Sequence, residues 1–154
     1  MEDPNDPKKL ELRKSQGDPI ISYLIVRESL NMSVGKFAAQ VAHAAEMLVL
    51  KRDKMLSDLT YYSRVLEQSE YAKILEHVCL FDKYLDASMR KVSLSANERE
   101  WAKIKELPEF KQFGVIVIDA GLTQLPPNTE TVIRLWPILK SQVPKVIKRL
   151  QVLK

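Results

Sequence analysis

A short run of apolar and β-branched residues near the N-terminus constrains the fold more than any other feature of the chain. In ISYLIVRE (21–28), apolar side chains occupy both faces of an extended strand, which is typical of a strand buried in the middle of a sheet. A helical pattern follows, for which Ser33 can serve as the N-cap. Its apolar residues recur at helical spacing: Val34, Phe37, Val41, Ala45 and Leu48.

Further helix and strand patterns alternate along the chain. Residues 53–86 contain neither proline nor glycine and carry apolar residues at mostly helical intervals, which predicts one or two helices with a break near EQSEY (67–71). SANE (95–98) has the Ser-x-x-Glu pattern that opens a helix, Pro108 would end that helix, and a basic helix is predicted at about 140–150. Three more strands are predicted: MRKVSL (89–94), FGVIVID (113–119) and ETVIRLW (130–136).

This alternation predicts an α/β fold with a mixed, largely parallel four-stranded sheet and helices on its faces, in three α/β/α layers. Right-handed crossovers place the turns after the first and third strands at the same edge of the sheet, where open α/β folds bind their ligands. Lys36 and Asp119 belong to these two turns. The fourth strand should pair antiparallel or at an edge, because AGLTQLPPNT (120–129) is too short for a helical crossover.

Length and composition favour one folded domain. The chain has 154 residues, of which 45% are hydrophobic, and this is enough for one sizeable core. Residues 1–18 are polar and are predicted to form a flexible arm, so the domain is expected at residues 19–154. No stretch of about 18 apolar residues occurs, and the N-terminal segment lacks the apolar middle of a secretory signal. We therefore expect a cytoplasmic protein without a membrane span, or a mitochondrial one in a eukaryote.

The charge of the chain is unevenly distributed. Its net charge is +4, yet the segment from Thr131 to Lys154 contains six basic residues and no acidic one. A basic end of this kind can follow the phosphates of a nucleic acid. Solvated lysines near a helix C-terminus would give the same pattern, so charge alone leaves both interpretations open.

The first turn of the helix that follows the first strand could bind an anion. Its free backbone N–H groups favour negative charge, Gly35 allows close approach to the backbone, and the ammonium of Lys36 would add to the attraction. A carboxylate at Asp119 could hold Lys36 in a salt bridge or orient a water for attack on an ester or amide. Thr123 and Thr131 could each supply a hydroxyl. The same residues could equally be capping and turn residues.

Three polar residues of this helix share one stripe. Lys36, Gln40 and His43 recur at helical spacing, and their stripe is predicted to lie away from the apolar face. On its own, His43 is more typical of a surface or packing histidine than of a catalytic one.

Several common catalytic sites are excluded by the sequence. SVGK (33–36) lacks the upstream glycine and the following Ser or Thr of a phosphate-binding P-loop, and no G-x-S-x-G sequence occurs. The two histidines, His43 and His77, make no metal cluster. The one cysteine, Cys79, can form no internal disulfide and is predicted to be a buried thiol. Neither a zinc site nor a Ser-His-Asp hydrolase is expected.

Two segments resemble the type-II peptidyl-tRNA hydrolases, as distinct from the bacterial type. YLIVRESLNMSVGKFAAQVAHAA (23–45) is similar to that family's V-V-R-x-D-L-x-M-G-K-G-K-x-A-A-Q-x-A-H-A-A. DAGLTQLPPNTETV (119–132) is similar to its D-A-G-x-T-x-I-x-P-G-T-x-T-V. The two matches occur in the family's order at opposite ends of the domain, and the resemblance covers residues 20–52 and 87–154.

The resemblance implies a mixed four-stranded sheet flanked by helices and hydrolysis of the ester that joins a peptide to the terminal ribose of tRNA. It implies a role in translation and ribosome rescue, with peptidyl-tRNA as the partner and with no metal or organic cofactor. Matched position by position, the family's functional residues are the predicted catalytic residues Lys36, Asp119, Thr123 and Thr131. The residues predicted to bind tRNA, from the resemblance or from charge, are Arg27, Gly35, Gln40, His43, Arg134, Lys140, Lys145 and Lys148.

The chain also departs from the family pattern. M-G-K-G-K is here MSVGK (32–36), and the G-I-G-P loop is here RLWP (134–137), where Arg134 and Trp136 could contact a phosphate and stack on a base, or close the site. Residues 53–86 exceed the family length and are predicted to be a helical insertion that serves a protein partner; a homodimer is a further expectation. The VIRLWP ending resembles a divergent group of hydrolase-domain proteins. The alternative function is therefore a catalytically weak or inactive tRNA-binding or protein-interaction module of the same fold.

Overall fold

A computed structural model describes residues 6–8, 17–62, 64–87 and 89–154. The predicted flexible arm, residues 1–18, falls mostly outside these residues. The fold is built around β1 (Ile20–Arg27), whose six central residues are all buried, because apolar side chains on both of its faces require cover from both sides.

β1 lies in the middle of the sheet. It pairs in parallel with β2 (Lys91–Ala96) and antiparallel with β4 (Thr129–Arg134), which in turn pairs antiparallel with β3 (Val115–Asp119). Two short antiparallel strands extend the sheet, because β5 (Ile138–Leu139) pairs with β1 and β6 (Gln151–Val152) pairs with β2. The strand order is β3-β4-β1-β2-β6, with β5 beside β1.

Helices connect most of these strands. Short 3-10 turns at Glu28–Leu30 and Lys140–Gln142 follow β1 and β5. No helix among the described residues combines the length and the apolar character needed to cross a bilayer. The α-helices are α1 (Val34–Tyr61), α2 (Gln68–Ala87), α3 (Glu98–Lys105), α4 (Pro108–Phe113) and α5 (Lys145–Lys148).

Helices cover both faces of the sheet. On one face, Ala44 of α1 packs against Val117 of β3 and Val132 of β4, and α2 packs beside α1. On the other face, Trp101 of α3 and Ile147 of α5 join side chains of β1 and β4 in a second buried cluster. The α/β class and the three α/β/α layers are thus confirmed.

The mixed sheet is confirmed, but its pairing differs from the prediction. β1, β2 and β3 run in the same direction, so the C-terminal ends of β1 and β3 lie at one edge as expected. β4 pairs antiparallel, as predicted, because the short loop after β3 returns the chain directly alongside it, and it lies between β3 and β1. Among the described strands only β1 and β2 form a parallel pair, so the sheet is not largely parallel, and it has six strands rather than four.

Two predicted helix boundaries near β2 are wrong. The cap of α3 is Asn97, which accepts the N–H of Glu100 at 2.9 Å, while the Glu100 carboxylate accepts the N–H of Asn97 at 2.9 Å. Ser95 cannot serve as the cap because its backbone is still paired in β2, and asparagine caps as well as serine. Pro108 opens α4 instead of ending a helix, since proline fits the first helical position.

The predicted basic helix at about 140–150 is mostly not helical. A 3-10 turn comes first, and Pro144 is then the N-cap of the four-residue α5. After α5, the chain pairs with β2 as the short strand β6. Burial of apolar side chains against the sheet and α3 holds this irregular segment in place. Its buried residues are Val143, Ile147 and Leu150.

α1 and α2 form a helical hairpin that contains the predicted insertion, residues 53–86. α1 continues without interruption to Tyr61, and α2 begins at Gln68, close to the predicted break. Tyr61 is 80% exposed and Val65 is 79% exposed at the tip of the hairpin; a protein partner or second copy there stays a prediction. Cys79 is exposed, against expectation, because the buried side of α2 lies elsewhere, at Val78, Phe81 and Tyr84.

Candidate active site

Lys36 and Asp119 meet where the end of β3 faces the first turn of α1. Asp119 is the last residue of β3, and its carboxylate forms an ion pair with the ammonium of Lys36. The Lys36 side chain is 14% exposed and that of Asp119 is 4% exposed. Because the pair is largely shielded from water, its attraction exceeds that of a surface ion pair.

Three donors converge on the Asp119 carboxylate. Besides Lys36, the Gln40 amide donates to Oδ2 at 3.0 Å, and the Gly121 N–H donates to Oδ1 at 2.7 Å. The hydrogen bond from Lys36, followed by that from Gly121, holds the pKa of Asp119 below its ordinary value although burial opposes this. Asp119 is therefore ionised at neutral pH and is a weak base.

The Lys36 ammonium has one N–H left for a ligand. It donates to Asp119 and, at 2.9 Å, to the hydroxyl of Thr123. A lysine ammonium carries three N–H donors, and the third meets no acceptor among the residues that the structure describes. Because Thr123 is exposed, this N–H and the Thr123 hydroxyl lie where a substrate oxygen could reach both.

A β-bulge in β4 turns Thr131 toward the site. The pairing register shifts between Val117 and Ile118, which leaves Thr131 as an extra residue in β4. Its hydroxyl donates to the Gln40 side-chain oxygen at 2.8 Å. Without the bulge, strand alternation would point Thr131 to the opposite face together with Ile133. Thr131 is completely buried, so it reaches Asp119 only through Gln40.

The loop that carries Thr123 is tied to the start of α1. Ser33 caps α1 as predicted, since its hydroxyl accepts the N–H of Lys36 at 3.3 Å. The Gln124 amide donates to that hydroxyl at 2.9 Å and accepts the N–H of Ser33 at 3.4 Å. Gln124 was not among the sequence-based candidates; its place directly after Thr123 in the second motif is the signal that could have indicated it.

Gly121 is required by its backbone conformation. Its φ is +76°, which L-residues other than glycine adopt with strain. A Cβ atom at this position would lie 2.5 Å from the nitrogen of Pro127. Both constraints keep the Gly121 N–H aimed at Asp119.

Comparison with known proteins identifies the family of this chain. Residues 20–153 match the family model for peptidyl-tRNA hydrolase PTH2. The chain belongs to the PTH2 peptidyl-tRNA hydrolase family. It is 33% identical to a peptidyl-tRNA hydrolase of Pyrobaculum aerophilum, over 85% of this chain and 95% of that protein.

Other PTH2 relatives come from archaea and from a eukaryote. A peptidyl-tRNA hydrolase of Thermococcus onnurineus is 30% identical over 83% of this chain and 92% of its own length. A probable peptidyl-tRNA hydrolase 2 of Dictyostelium discoideum is 30% identical over 95% of this chain but only 60% of its own length. The resemblance seen in the two sequence segments is therefore confirmed at the level of the family.

The predicted polar stripe of α1 divides in the PTH2 fold. Gln40 is 7% exposed and packs toward β3 and β4, so it is part of the buried face rather than opposite to it. His43 is exposed, because three helical positions rotate a side chain by about 60° from Gln40. Gly35, also exposed, lies one residue before Lys36 at the open start of α1.

Arg27 lies at the end of β1 and is occupied by an ion pair. Its Nε and Nη2 donate to the two carboxylate oxygens of Glu98 at 2.8 Å each. Hydrogen bonds from Arg27 and then from Ser29 lower the pKa of Glu98 to about 2. A phosphate at Arg27 would have to compete with this carboxylate.

Arg134 and Trp136 are inside the protein, so the predicted contacts of these two residues with nucleic acid are wrong. Arg134 is 3% exposed and donates to the hydroxyls of Ser22 at 3.0 Å and Tyr84 at 3.3 Å; burial lowers its pKa. Trp136 is 4% exposed and donates to the backbone oxygen of His77 at 2.9 Å. Strand alternation places Arg134 on the face that α1 and α2 cover.

The predicted C-terminal lysines are exposed but lie away from Lys36. The Lys140 N–H bonds to Pro19 just before β1, and β1 is eight residues long, so its two ends are about 25 Å apart. Lys145 and Lys148 lie on α5, which packs against α3 on the other face of the sheet. No group of three or more metal-ligating side chains occurs among the described residues.

We expect alanine at Gly121 to destabilise the protein. Its φ is +76° and the new Cβ would press on Pro127, so the free energy of unfolding in urea should fall by about 1–3 kcal/mol. Gly35→Ala is the matched control, because a Cβ there meets no atom within 4 Å and Gly35 is helical; its stability should be unchanged or raised by up to about 1 kcal/mol. Equal losses in both variants would contradict the argument.

The pKa of Asp119 should rise when Lys36 is replaced by methionine, because the hydrogen bond from Lys36 is the main cause of its depression. Carbon-13 titration of the Asp119 carboxyl in wild type should give a pKa below about 3.9. Ionised Asp119 contributes stability that is fully present above the ordinary carboxyl pKa of the unfolded chain. This stability is lost as the pH falls through the lower pKa of Asp119 in the folded protein. Lys54→Met, an exposed position on the same helix, should leave the titration unchanged, and no rise in Lys36→Met would refute the assignment.

Proposed function

We propose that this protein hydrolyses the ester between peptide and tRNA in peptidyl-tRNA and releases free tRNA. The observation that carries the proposal is the shielded Lys36–Asp119 pair beside an exposed Thr123, with one ammonium N–H that has no acceptor among the described residues. Its relatives in Pyrobaculum aerophilum and Thermococcus onnurineus are named peptidyl-tRNA hydrolases, and the chain belongs to their family.

Lys36 is the group that stabilises the transition state. When a water attacks the ester carbonyl, negative charge develops on the carbonyl oxygen, and a preorganised cation at that position lowers the barrier. The third N–H of Lys36 can donate to this oxygen. Asp119 holds the ammonium in place through their ion pair, because the carboxylate is itself held by Gln40 and Gly121.

Asp119 is poorly suited to remove a proton outright. An efficient general base at neutral pH has a pKa near 7, whereas the pKa of Asp119 is below the ordinary carboxyl value. We infer that Asp119 acts through Lys36 and accepts at most a hydrogen bond from the attacking water. An ester needs less help than an amide, because the ribose oxygen leaves more readily than an amide nitrogen.

The other polar residues of the site have two kinds of role. Thr123 contacts the substrate, whereas Thr131 and Gln40 position Asp119. The Thr123 hydroxyl accepts from Lys36 at 2.9 Å, so its own hydrogen is free to donate to the water or to the ribose oxygen. Thr131 is completely buried and orients the Gln40 amide, whose nitrogen then donates to Asp119. Gln40 is thus a positioning residue for Asp119 rather than a tRNA contact.

The reaction balances without a cofactor. Water adds its oxygen to the carbonyl carbon, the bond from that carbon to the ribose oxygen breaks, and the ribose oxygen takes one proton that derives from the water. The second proton of the water is released to solvent from the new carboxyl group. The products are a free peptide carboxylate and tRNA with its terminal hydroxyl restored.

The departure MSVGK leaves this machinery intact. Ser33 caps α1 and binds Gln124, and Val34 is 84% exposed, so neither side chain blocks Lys36. This observation favours an active enzyme over the alternative of an inactive module with the same fold. Since the substrate is a translation product, we propose that the protein acts in the cytoplasm, or in mitochondria of a eukaryote.

Replacing Lys36 by methionine should lower the single-turnover rate constant for peptidyl-tRNA hydrolysis by about 10²–10³-fold, because it removes the oxyanion donor. Asp119→Asn should cause a loss of similar size. Because Asp119 acts through Lys36, the double variant should lose little more than either single variant. Rates are measured with enzyme in excess over labelled peptidyl-tRNA.

Lys54→Met is the matched control for this experiment, since Lys54 lies on the same helix with its side chain 75% exposed. Its rate should equal that of wild type. No turnover by wild type at micromolar enzyme would refute the hydrolase, and fully multiplicative losses in the double variant would refute the shared role of the pair.

Affinity for tRNA should depend on the exposed C-terminal lysines. We propose that Lys140, Lys145 and Lys148 contact tRNA phosphates, so their joint replacement by glutamine should weaken binding and reduce the slope of log affinity against log salt by about 2–3. Binding is measured with uncharged tRNA at several salt concentrations. The control is a triple glutamine variant of the helical hairpin, at Lys54, Lys73 and Lys83, which are also exposed.

A retained slope in the C-terminal variant, or an equal reduction in both triple variants, would argue against a specific role of the C-terminal lysines. An equal reduction in both variants would indicate that tRNA affinity depends only on the total charge of the protein.

A further inference from the structure

A second recess lies at the carboxyl ends of the parallel strands β1 and β2. The chain leaves β1 toward α1 on one face of the sheet, whereas it leaves β2 toward α3 on the other face. Neighbouring parallel strands whose connections depart to opposite faces leave a crevice between their ends, and this is where open α/β sheets bind ligands.

This crevice has a volume of about 680 Å³, within the range of small-ligand sites. It exists because α1 packs over β3 and β4 and leaves the same face of β2 uncovered. Ser93 and Ser95 form one wall of the cleft, and Val34 and Phe37 of α1 form part of the opposite wall.

The cleft and the Lys36 site are on two sides of the same helical turn. Val34 and Phe37 line the cleft, while Lys36, which lies between them in sequence, faces Asp119. An α-helix with its side chains is about 10–12 Å across, and an extended peptide advances about 3.3–3.6 Å per residue. A peptide whose ester lies at Lys36 therefore reaches the cleft about three residues from the bond that is cut.

The lining suits a peptide better than a polyanion. It is mainly apolar, through Val26, Met32 and Phe37, with the hydroxyls of Ser93 and Ser95 as polar groups. Arg27, at the rim, is already bound by Glu98. Of the two other charged side chains in the lining, Glu28 is negative and Lys154 is positive, so together they add no net positive charge. Phosphates are attracted by unpaired cations, whereas varied peptide side chains require apolar walls with a few polar groups.

We propose that this cleft binds the peptide part of the substrate, a few residues from the ester. The inference rests on the proposed function, because it assigns the two parts of one peptidyl-tRNA to opposite sides of the first turn of α1. The ester and the ribose lie at Lys36 and Thr123, and the peptide turns around Val34 into the cleft.

The test compares two substrates that share one tRNA and one C-terminal amino acid. One carries an N-acetylated single residue, which is too short to reach the cleft, and the other carries an N-acetylated peptide of about six residues. In wild type, the longer substrate should have the larger kcat/KM. Ser93→Trp, which fills the cleft, should lower kcat/KM for the longer substrate roughly tenfold, equivalent to about 1.4 kcal/mol, and leave the short one unchanged.

Ser95→Trp provides a second, independent blockade from the same wall of the cleft. Ser57→Trp, at an exposed position of α1 far from the cleft, is the matched control and should alter neither substrate. The short substrate also reports whether each variant is folded and active.

Each outcome of this comparison either supports or overturns the inference. A loss confined to the longer substrate supports the peptide subsite. Equal losses on both substrates would place tRNA in the cleft instead, and no loss on either would leave it without a role in the reaction; both overturn the inference while the hydrolase stands. Absence of hydrolysis of both substrates by wild type would overturn the proposed function itself and the subsite with it.

Discussion

The structure depends on keeping a charged pair, Lys36 and Asp119, away from water. Charges removed from water are costly unless they are paired and their remaining hydrogen-bonding positions are filled. The protein meets most of this requirement with partners from two segments. Gln40 of α1 and the Gly121 N–H of the loop after β3 donate to Asp119, and the Thr123 hydroxyl of that loop accepts from Lys36, which leaves one Lys36 N–H without an acceptor among the described residues. Each of these partners in turn needs a local structural feature that an ordinary strand or helix lacks.

These features are irregular backbone segments beside the regular strands and helices. A β-bulge turns Thr131 toward Gln40, a left-handed backbone at Gly121 aims its N–H at Asp119, and the Ser33 cap binds Gln124 so that Thr123 stays beside Lys36. The regular frame is the buried β1 with a helix layer on each side. Such irregular backbone is kept in place because the surrounding packing and hydrogen bonds determine it.

The position of α1 explains how one short segment can serve two parts of a substrate. α1 lies over β3 and β4, so its first turn presents Lys36 to Asp119 on one side and Phe37 to an open cleft at the end of β2 on the other. The reacting bond can then be held by charge while the peptide is held by an apolar surface. This division suits a hydrolase that must accept many peptides attached to one kind of ester.

The sequence alone predicted the central strand, the helix that follows it and the candidate residues of the site. Apolar residues on both faces of ISYLIVRE required a central strand, the spacing after Ser33 required a helix, and the family motifs identified Lys36, Asp119, Thr123 and Thr131. The predictions of the strand and the helix are confirmed because hydrophobic periodicity and capping act within a few residues. The pairing of β4 between β1 and β3, and the position of the α3 cap at Asn97, depended on contacts between distant segments.

Only the tertiary structure decided which polar side chains face solvent. The sequence predicts that Arg134 binds phosphate. In the structure, the alternation of side chains along β4 places Arg134 beneath α2, where it is buried against Ser22 and Tyr84. The sequence predicts that Gln40 lies on the surface, yet the packing of α1 places it in contact with Asp119. Gln124 contacts the start of α1 only because the fold brings its loop next to Ser33. The physical reason is that residue type states what a side chain can bind, whereas burial and pairing, which the whole fold sets, decide what it does bind.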